Sequence, residues 1–343
     1  MTASTDFNAD STRLKRALNR YPTPDRARGI LELALTAIPF FLLWALAWAA
    51  VSAGHWYGLV LTVPAAAFLV RLFMIQHDCA HRSFFHSRRA NDWTGRTIGV
   101  LTLTPHDFWG YTHARHHASS GNLDRPRIGE IDTLTLREYQ SLPRGQRLRY
   151  RLYRHPLVLF GLGPTYLFLL DYRMPLGFMH SGWMPWLSTQ ATNIAIAVLV
   201  ATMAWSVGLG TFLLVQLPIT LMAASIGVWL FYVQHQFEDT YWEHAKDWKF
   251  DQAALYGSSH YDLPAVLRWF SANIGVHHVH HLCSGIPSYR LPEALRDHPE
   301  LRDTGRLTLR QSLRSVSLAL WDEGQRRLIS FRDARRRPLA ANE

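Results

Sequence analysis

Three short clusters of histidine contain the residues of this chain best suited to chemistry. They read HDCAH with His77 and His81, HARHH with His113, His116 and His117, and HHVHH from His277 to His281. The chain has 18 histidines in 343 residues, so four imidazoles within five positions are far from a random arrangement. Residues three or four apart lie on one face of a helix, so each cluster is predicted to point its imidazoles in one direction.

The histidines predict a site for two transition-metal ions. Imidazole ligands suit iron, copper, zinc or nickel and do not suit calcium or magnesium. On a helix, the ring of His278 would be turned by about 100° from that of His277, so His278 is left out of the ligand set. His235 is added, because it ends the fourth apolar segment just as His77 ends the second. The nine candidate ligands are His77, His81, His113, His116, His117, His235, His277, His280 and His281. Nine are too many for one ion.

Redox-active iron fits this pattern better than hydrolytic zinc. Zinc proteases of the HExxH type need a glutamate beside the first histidine, and HDCAH has Asp78 there within a different spacing. Neutral ligands leave the metal charge uncompensated, so carboxylates are expected to orient the outer ring nitrogens. The candidates for that role are Asp78, Asp107, Glu238, Asp239 and Asp262.

Four apolar segments must position these clusters. They are Leu31–Ala53, Tyr57–Gln76, Ala191–Gly208 and Thr211–Gln234. Their only charged residues are Glu32, near the start of the first segment, and Arg71, which is close enough to the end of the second to reach the bilayer surface. Their lengths and compositions predict four membrane-spanning helices in two hairpins.

The basic residues flank these segments, which argues against a nucleic-acid partner despite the net charge of +10. The short connections within the hairpins, SAGHWYG and WSVGLG, contain no Lys or Arg. The positive-inside rule therefore predicts that both termini and residues 77–190 are cytoplasmic, with both hairpin tips on the far side. All three histidine clusters then fall on one side of the membrane, which would be a bacterial inner membrane.

The predicted architecture is a single all-α membrane domain over residues 1–343. It consists of a basic arm (1–28), a first hairpin (29–76), a cytoplasmic and interfacial region with the first two clusters (77–190), a second hairpin (191–234) and a helical cap with the third cluster (235–343). The arm is expected to be partly disordered or to lie on the membrane surface. Three interpretations of the basic segment Arg144–Arg154 are open: it docks on anionic lipid, it binds an acidic electron donor, or it only reflects the positive-inside rule.

The only two cysteines, Cys79 and Cys283, both lie beside histidine clusters. On the cytoplasmic side thiols stay reduced, so no disulfide is expected. Cys79 would be about 200° round a helix from His77, which favours a packing role over ligation.

The three clusters, spaced H-x3-H, H-x2-HH and H-x2-HH on membrane hairpins, resemble those of the membrane fatty acid desaturases. The resemblance covers roughly residues 30 to 300. The stretches TPHDFWGYTHARHH, SGNLDRP, HQFEDTYW and NIGVHHVHHL are most similar to bacterial acyl-lipid desaturases of the Δ12 (omega-6) type. The resemblance implies a di-iron centre held by histidines, which uses O2 and two external electrons to introduce a cis double bond into an acyl chain. It also implies that His235 is the additional ligand ahead of the third cluster.

The chain departs from the family pattern at two positions and in one domain. His106 stands where such sequences often have an aromatic residue and is not counted as a ligand. Phe231 occupies the place where some relatives have an asparagine that reaches iron through water; Asn273 either compensates or forms a structural turn. No cytochrome b5 domain is recognised, so the resemblance implies a separate donor, a ferredoxin or a cytochrome b5-like protein, with its reductase.

An unactivated methylene has no polar group that the protein could recognise, so an apolar tunnel of fixed depth is expected to set the position of oxidation. Two alternatives remain. A membrane di-iron hydroxylase or carotenoid oxygenase would have the same architecture, and oxygen in the product would distinguish it. A haem or metal transporter would place its histidines near the bilayer midplane.

Overall fold

The computed structural model describes residues 11–336 and is dominated by four long apolar helices. They are α2 (Arg26–Ser52), α3 (Thr62–Ala80, extended at its start by the 3-10 turn Trp56–Leu61), α9 (Trp183–Val207) and α10 (Leu209–His235). All four are long and apolar enough to cross a membrane, so the predicted number of spans is confirmed. Gly208, with φ of 79°, makes the tight turn from α9 into α10.

The two hairpins pack through α3 and α10, which contact each other along their length. Both helices carry small or β-branched residues at this contact, and the buried core there includes Ala65, Ala66, Leu69, Val215 and Ile219. Because α3 and α10 run from the same side, their final turns lie together. This packing places His77 and His235 at neighbouring helix ends.

Arg71 does not reach the bilayer surface, so that prediction was wrong. Its side chain is 4% exposed and forms an ion pair with Glu32 across the first hairpin. Arg71 also donates hydrogen bonds to the hydroxyl of Thr36, at 3.1 Å, and to the backbone carbonyl of Trp269. A buried charge is tolerated when it is paired and its hydrogen bonds are satisfied, and Glu32 supplies that partner.

The amino-terminal arm packs on the cap in the part that the structure describes. Residues 11–18 form helix α1, and Leu18 and Tyr21 are buried in a cluster with Ile286 and Leu291. The expectation of a partly disordered or membrane-surface arm therefore fails for these residues. Residues 1–10 lie outside the described residues.

Shorter helices and five strands complete the described fold. The helices are α4 (Arg88–Leu101), α5 (His106–Ser119), α6 (Leu136–Ser141), α7 (Arg144–Tyr153), α8 (Gly163–Leu169), α11 (Phe250–Tyr256), α12 (Ala265–Phe270), α13 (His277–Leu282), α14 (Leu291–Asp297), α15 (Leu309–Ser315) and α16 (Phe331–Arg335). The strands are β1 (Leu134–Thr135), β2 (His260–Asp262), β3 (Arg306–Thr308), β4 (Leu318–Asp322) and β5 (Arg327–Ser330).

The strands form two small sheets that the sequence analysis did not predict. β1 pairs in parallel with β4 and β4 pairs antiparallel with β5, while β2 and β3 form a separate parallel pair. The buried Arg154 fixes the larger sheet to α10, because it donates to the Leu318 carbonyl at 2.7 Å and to Gln236 Oε1 at 3.1 Å. Strands of two to five residues are too short for an alternating pattern to be recognised in sequence.

Candidate metal centre

The nine candidate histidines come from four helices that converge beside the ends of α3 and α10. His77 lies in the last turn of α3, and His81 is the first residue beyond it. His235 is the last residue of α10. The second cluster lies in the final half of α5 and the third occupies most of the six-residue helix α13.

These histidines form two groups, in each of which the potential ligand atoms all lie within 4.8 Å of one another. The first group contains His77, His81, His113, His117 and His280. The second group contains His116, His235, His277 and His281. The structure thus brings together all nine residues selected from the sequence.

The prediction that each cluster points in one direction was wrong for the second and third clusters. In α5, His113 and His117 join the first group while His116 joins the second; in α13, His277 and His281 join the second group while His280 joins the first. Residues i and i+4 differ by only about 40° round a helix, whereas adjacent residues differ by about 100°. Each short helix therefore serves both groups.

The Nε2 atoms converge within each group. In the second group, His235 Nε2 lies 3.1 Å from His116 Nε2 and 3.0 Å from His277 Nε2. In the first, His117 Nε2 lies 3.1 Å from His113 Nε2 and 3.2 Å from His280 Nε2. The two groups adjoin at His117 and His281, whose rings stack with centroids 4.0 Å apart.

The donor set fits metal cations. Seven of the nine histidines are buried and two are half-buried. Desolvation, followed by the neighbouring imidazoles, holds the pKa of His81, His113 and His117 well below the usual range. The same causes lower the pKa of the third-cluster candidates His277, His280 and His281. Neutral imidazoles have lone pairs to offer, and Nε2 of His77 and His81 has no hydrogen-bond partner among the described residues.

The outer ring nitrogens meet two carboxylates, of which only one was a candidate from sequence. His77 Nδ1 lies 3.3 Å from Asp78 Oδ1, and His116 Nδ1 lies 3.2 Å from Glu130 Oε1. Glu130 was missed because it lies in a turn-rich stretch where nothing but closeness to the second cluster singles it out. His235 Nδ1 lies 3.4 Å from the Gly257 carbonyl.

The other four carboxylate candidates lie elsewhere. Asp107 pairs with Arg96, Glu238 with Arg327 and Asp262 with Arg306, and Asp239 is exposed. An arginine satisfies a surface carboxylate as well as an imidazole does. Their closeness in sequence to the clusters was therefore no guide to their contacts.

Residues set aside from the ligand set lie outside both groups. His278 is buried, and its Nε2 lies 2.9 Å from the Leu301 carbonyl. His106 packs against Gly95, where an added Cβ would come within 2.2 Å of the imidazole. Asn273 has φ of 59° and donates to the Ser288 carbonyl, which is a structural role. Phe231 places its ring 5.2 Å from that of His116.

Two glutamines brace the segments that lead into the second and third clusters. Gln76, directly before His77, bonds to the Thr102 hydroxyl at 2.6 Å and to the Thr104 carbonyl at 3.2 Å. Gln234, directly before His235, donates to the Ile274 carbonyl at 3.1 Å. The ends of α3 and α10 thus position the approaches to α5 and α13 as well as supplying ligands.

A mainly apolar cavity of about 580 Å³ leads to the histidines. Its walls come from α3, α5, α8, α10 and the loop before α9, and it reaches His77, His113 and His277 at one end. Along α10 the lining extends from Gln234 back to Thr220, which lies about 22 Å along the helix axis from His235. The site can therefore receive a long apolar chain.

Comparisons with known proteins agree with this geometry. The sequence model described as "Fatty acid desaturase" matches residues 54–312. A "Fatty acid desaturase" of Bacillus subtilis is 44% identical over 95% of this chain and 92% of its own length. Two Synechocystis proteins are more distant. An "sn-1 oleoyl-lipid 12-desaturase" is 25% identical over 69% of this chain and 67% of its own length. An "sn-1 acyl-lipid omega-3 desaturase (ferredoxin)" is 29% identical over 65% of this chain and 62% of its own length.

Proposed function

This chain belongs to the fatty acid desaturase family, and we propose that it desaturates lipid-linked acyl chains at a non-haem di-iron centre held by the nine histidines. As a fatty acid desaturase it is an oxidoreductase. One observation supports the proposal above all others: two groups of histidine imidazoles lie at the end of an apolar cavity lined in part by the spanning helices α3 and α10.

In this proposal each histidine group holds one iron. His77, His81, His113, His117 and His280 hold one ion, and His116, His235, His277 and His281 hold the other. When bound, the iron pair supplies the redox chemistry by which O2, two external electrons and two protons become two waters as two adjacent methylenes lose one hydrogen each.

The protein's own residues bind the chain, orient it and exclude water. The apolar walls receive the chain from the bilayer interior without exposing its methylenes to water, so the shape of the cavity sets the position of the chain. Trp109 stacks on His113 with centroids 4.5 Å apart, and Phe231 lies against His116 and His235. These aromatic rings restrict the orientation of the ligands and form the wall of the cavity beside them.

The substrate class is proposed from the relatives and from the cavity. The Synechocystis relatives carry names that specify acyl-lipid substrates, and a cavity within the membrane region gives such lipids direct access. More specifically, we propose that the new double bond is introduced at the Δ12 position. Relatives named for position 12 and for the omega-3 position match at 25% and 29% identity, so the position must be measured.

The electron donor is proposed to be a separate ferredoxin or cytochrome b5-like protein, working with its reductase. One Synechocystis relative carries ferredoxin in its name. The basic residues before α2 and in α7 support a cytoplasmic site and cytoplasmic termini in a bacterial inner membrane, because positive charge favours that side. The donor would then reach the site from the cytoplasm.

The test is the double-bond profile of lipid fatty acids in a host that expresses this chain with a ferredoxin system. We expect a new cis-unsaturated acid that is absent from a His113→Ala control, with its bond at Δ12. A bond at another position would replace the Δ12 assignment alone. Hydroxylated acids would instead favour the hydroxylase alternative. The transporter alternative is disfavoured, because the histidines lie at helix ends and not near the bilayer midplane.

A further inference from the structure

One face of α10 lines the cavity, and the smallest residue on that face is Gly227. The residues of α10 that line it include Thr220, Ala223, Ala224, Gly227 and Phe231. With a rotation of about 100° per residue, Gly227 lies at the centre of this face. A Cβ added at Gly227 would meet no atom within 4 Å. In a helix that is otherwise closely packed against α3, this open space belongs to the cavity.

Gly227 lies about midway along the part of α10 that lines the cavity, which runs from Gln234 to Thr220. It is eight residues before His235, or about 12 Å along the helix axis. Between them, Phe231 also lines the cavity and places its ring 5.1 Å from the ring of His235. A chain whose reacting carbons lie at the histidines must therefore pass Phe231 before it reaches Gly227.

The orientation of a lipid identifies which part of the acyl chain lies there. Lipid head groups stay at the bilayer surface, where α10 ends, and the methyl ends of the chains lie toward the bilayer centre. The cavity follows α10 from that end to Thr220, close to the middle of the helix. The methyl-side segment of the substrate thus fits the part of the cavity beside Gly227.

We propose that Gly227 determines chain-length specificity: its missing side chain leaves room for the methyl-side segment of the acyl chain beyond the oxidised bond. This inference rests on the proposed acyl-lipid desaturation. Filling the space removes favourable contacts only for chains long enough to reach it. In an apolar pocket each methylene changes discrimination by about tenfold or more.

Gly210 provides a matched control in the same helix. A Cβ there also meets no atom within 4 Å, but Gly210 is exposed and does not line the cavity. Gly227→Leu and Gly210→Leu make the same chemical change in the same helix, but only the first adds a side chain to the cavity. Gly227→Ala adds only one methyl group and is expected to leave folding intact.

The experiment combines product profiles with photocrosslinking in membranes that contain C14, C16 and C18 lipids. We expect Gly227→Leu to lower the ratio of C18 to C14 products by about tenfold or more, Gly227→Ala to fall in between, and Gly210→Leu to keep the wild-type ratio. A phospholipid with a diazirine near its acyl methyl end should label residues 220–231 in the wild type and in Gly210→Leu, and lose that labelling in Gly227→Leu.

Each outcome tests one of two claims: the role of Gly227 in binding the acyl chain, or the desaturation reaction itself. Absence of labelling at residues 220–231 in the wild type, or an unchanged product ratio and unchanged labelling in Gly227→Leu, would overturn the role of Gly227. Loss of all products in Gly227→Leu, with the wild-type ratio kept in Gly227→Ala, would also overturn it. Labelling that depends on Gly227, in a wild type that makes no unsaturated acid, would uphold the binding role and refute the reaction.

Discussion

His278 and His280 are two residues apart but have different surroundings. His280 lies in the first metal group, whereas His278 Nε2 lies 2.9 Å from the Leu301 carbonyl. Burial and nearby His260 lower the pKa of His278 to about 3, so its imidazole stays neutral and supports packing. The same residue type thus serves two purposes within one helix.

Substitution should separate these two purposes. We expect His116→Ala and His280→Ala to lose bound iron and activity. His278→Ala should keep its iron but lower the free energy of unfolding by about 1–3 kcal/mol, because the buried Leu301 carbonyl loses its partner. Iron content per chain and the thermal midpoint of the purified proteins measure the two effects. An iron-free His278→Ala protein that remains folded would contradict the assignment.

Glu130 is expected to orient His116. Loss of a carboxylate behind a ligating histidine typically lowers metal affinity or activity by 10- to 100-fold, so Glu130→Gln should lower iron affinity by about that range. Glu300→Gln is the control, since Glu300 is exposed and its carboxylate pairs with His298, which is not a candidate ligand. Competition for iron with a chelator of known affinity measures the change. Equal affinities in the two variants would leave Glu130 without a role in binding.

The lowered pKa values of the buried histidines predict how iron binding depends on pH. Protonation competes with the metal only below the pKa of each ligand, and burial shifts the pKa of His81, His113 and His280 well below 6.5. We therefore expect protonation of these three ligands to cause no loss of iron affinity between pH 8 and pH 6. A titration of the metal-free protein with ferrous iron at both pH values tests this. A steep loss by pH 6 would indicate ligands with ordinary pKa values.

At the scale of single residues, the sequence sufficed to select all nine members of the two groups. Spacing within each cluster identified most of them, and His235 followed from comparing the ends of two apolar segments. Their division between the groups did not follow, because it depends on how α5 and α13 are rotated relative to α3 and α10. Glu130 also escaped detection, since a carboxylate reaches its partner through the path of a loop.

Among the helices, α2, α3 and α12 are joined by one buried ion pair. Arg71 contacts Glu32 on α2 and the carbonyl of Trp269 on α12, and its guanidinium lies 4.0 Å from the Trp269 ring centroid. The chain continues from Trp269 through Ala272 and Asn273, both with positive φ, into α13. The ion pair therefore holds the segment that leads to the third cluster.

Removing one charge of the Arg71–Glu32 ion pair should destabilise the protein more than removing both charges. Arg71→Leu leaves the buried Glu32 with only the exposed Arg28 as a charged partner, 2.7 Å away, which we expect to cost up to about 3–5 kcal/mol of stability. The double variant Arg71→Leu/Glu32→Leu should recover most of that loss, because an apolar pair of similar volume needs no desolvation. Thermal unfolding of both proteins in detergent gives the comparison. A double variant less stable than the single one would show that the pair has a further role.

At the scale of the whole molecule, the number of spanning helices and their pairing in hairpins could be predicted from hydropathy alone. The two small sheets and the packing of α1 on the cap could not, because they depend on contacts between residues far apart in the chain. Leu18, for example, meets Ile286 and Leu291. Such contacts leave no local periodicity in the sequence.

The orientation in the membrane gives a test at the same scale. We expect reporters fused at both termini to be cytoplasmic, and cysteines introduced at the exposed Ser52 and Ser206, beside the hairpin tips, to react with an impermeant thiol reagent added from outside the inner membrane. Cys79 is buried and Cys283 half-buried, so a Cys283→Ser background limits labelling to the new sites. Labelling of the tips only after the membrane is permeabilised would reverse the orientation.

The division of α13 between the two groups has a consequence for how the protein is made. The first group needs His280 and the second needs His277 and His281, so neither is complete until the ribosome has translated nearly to residue 281. All four spanning helices precede that point and have already entered the bilayer. If the proposed iron centre forms, we therefore expect iron loading to be a late event in biogenesis, after the four spanning helices have been translated.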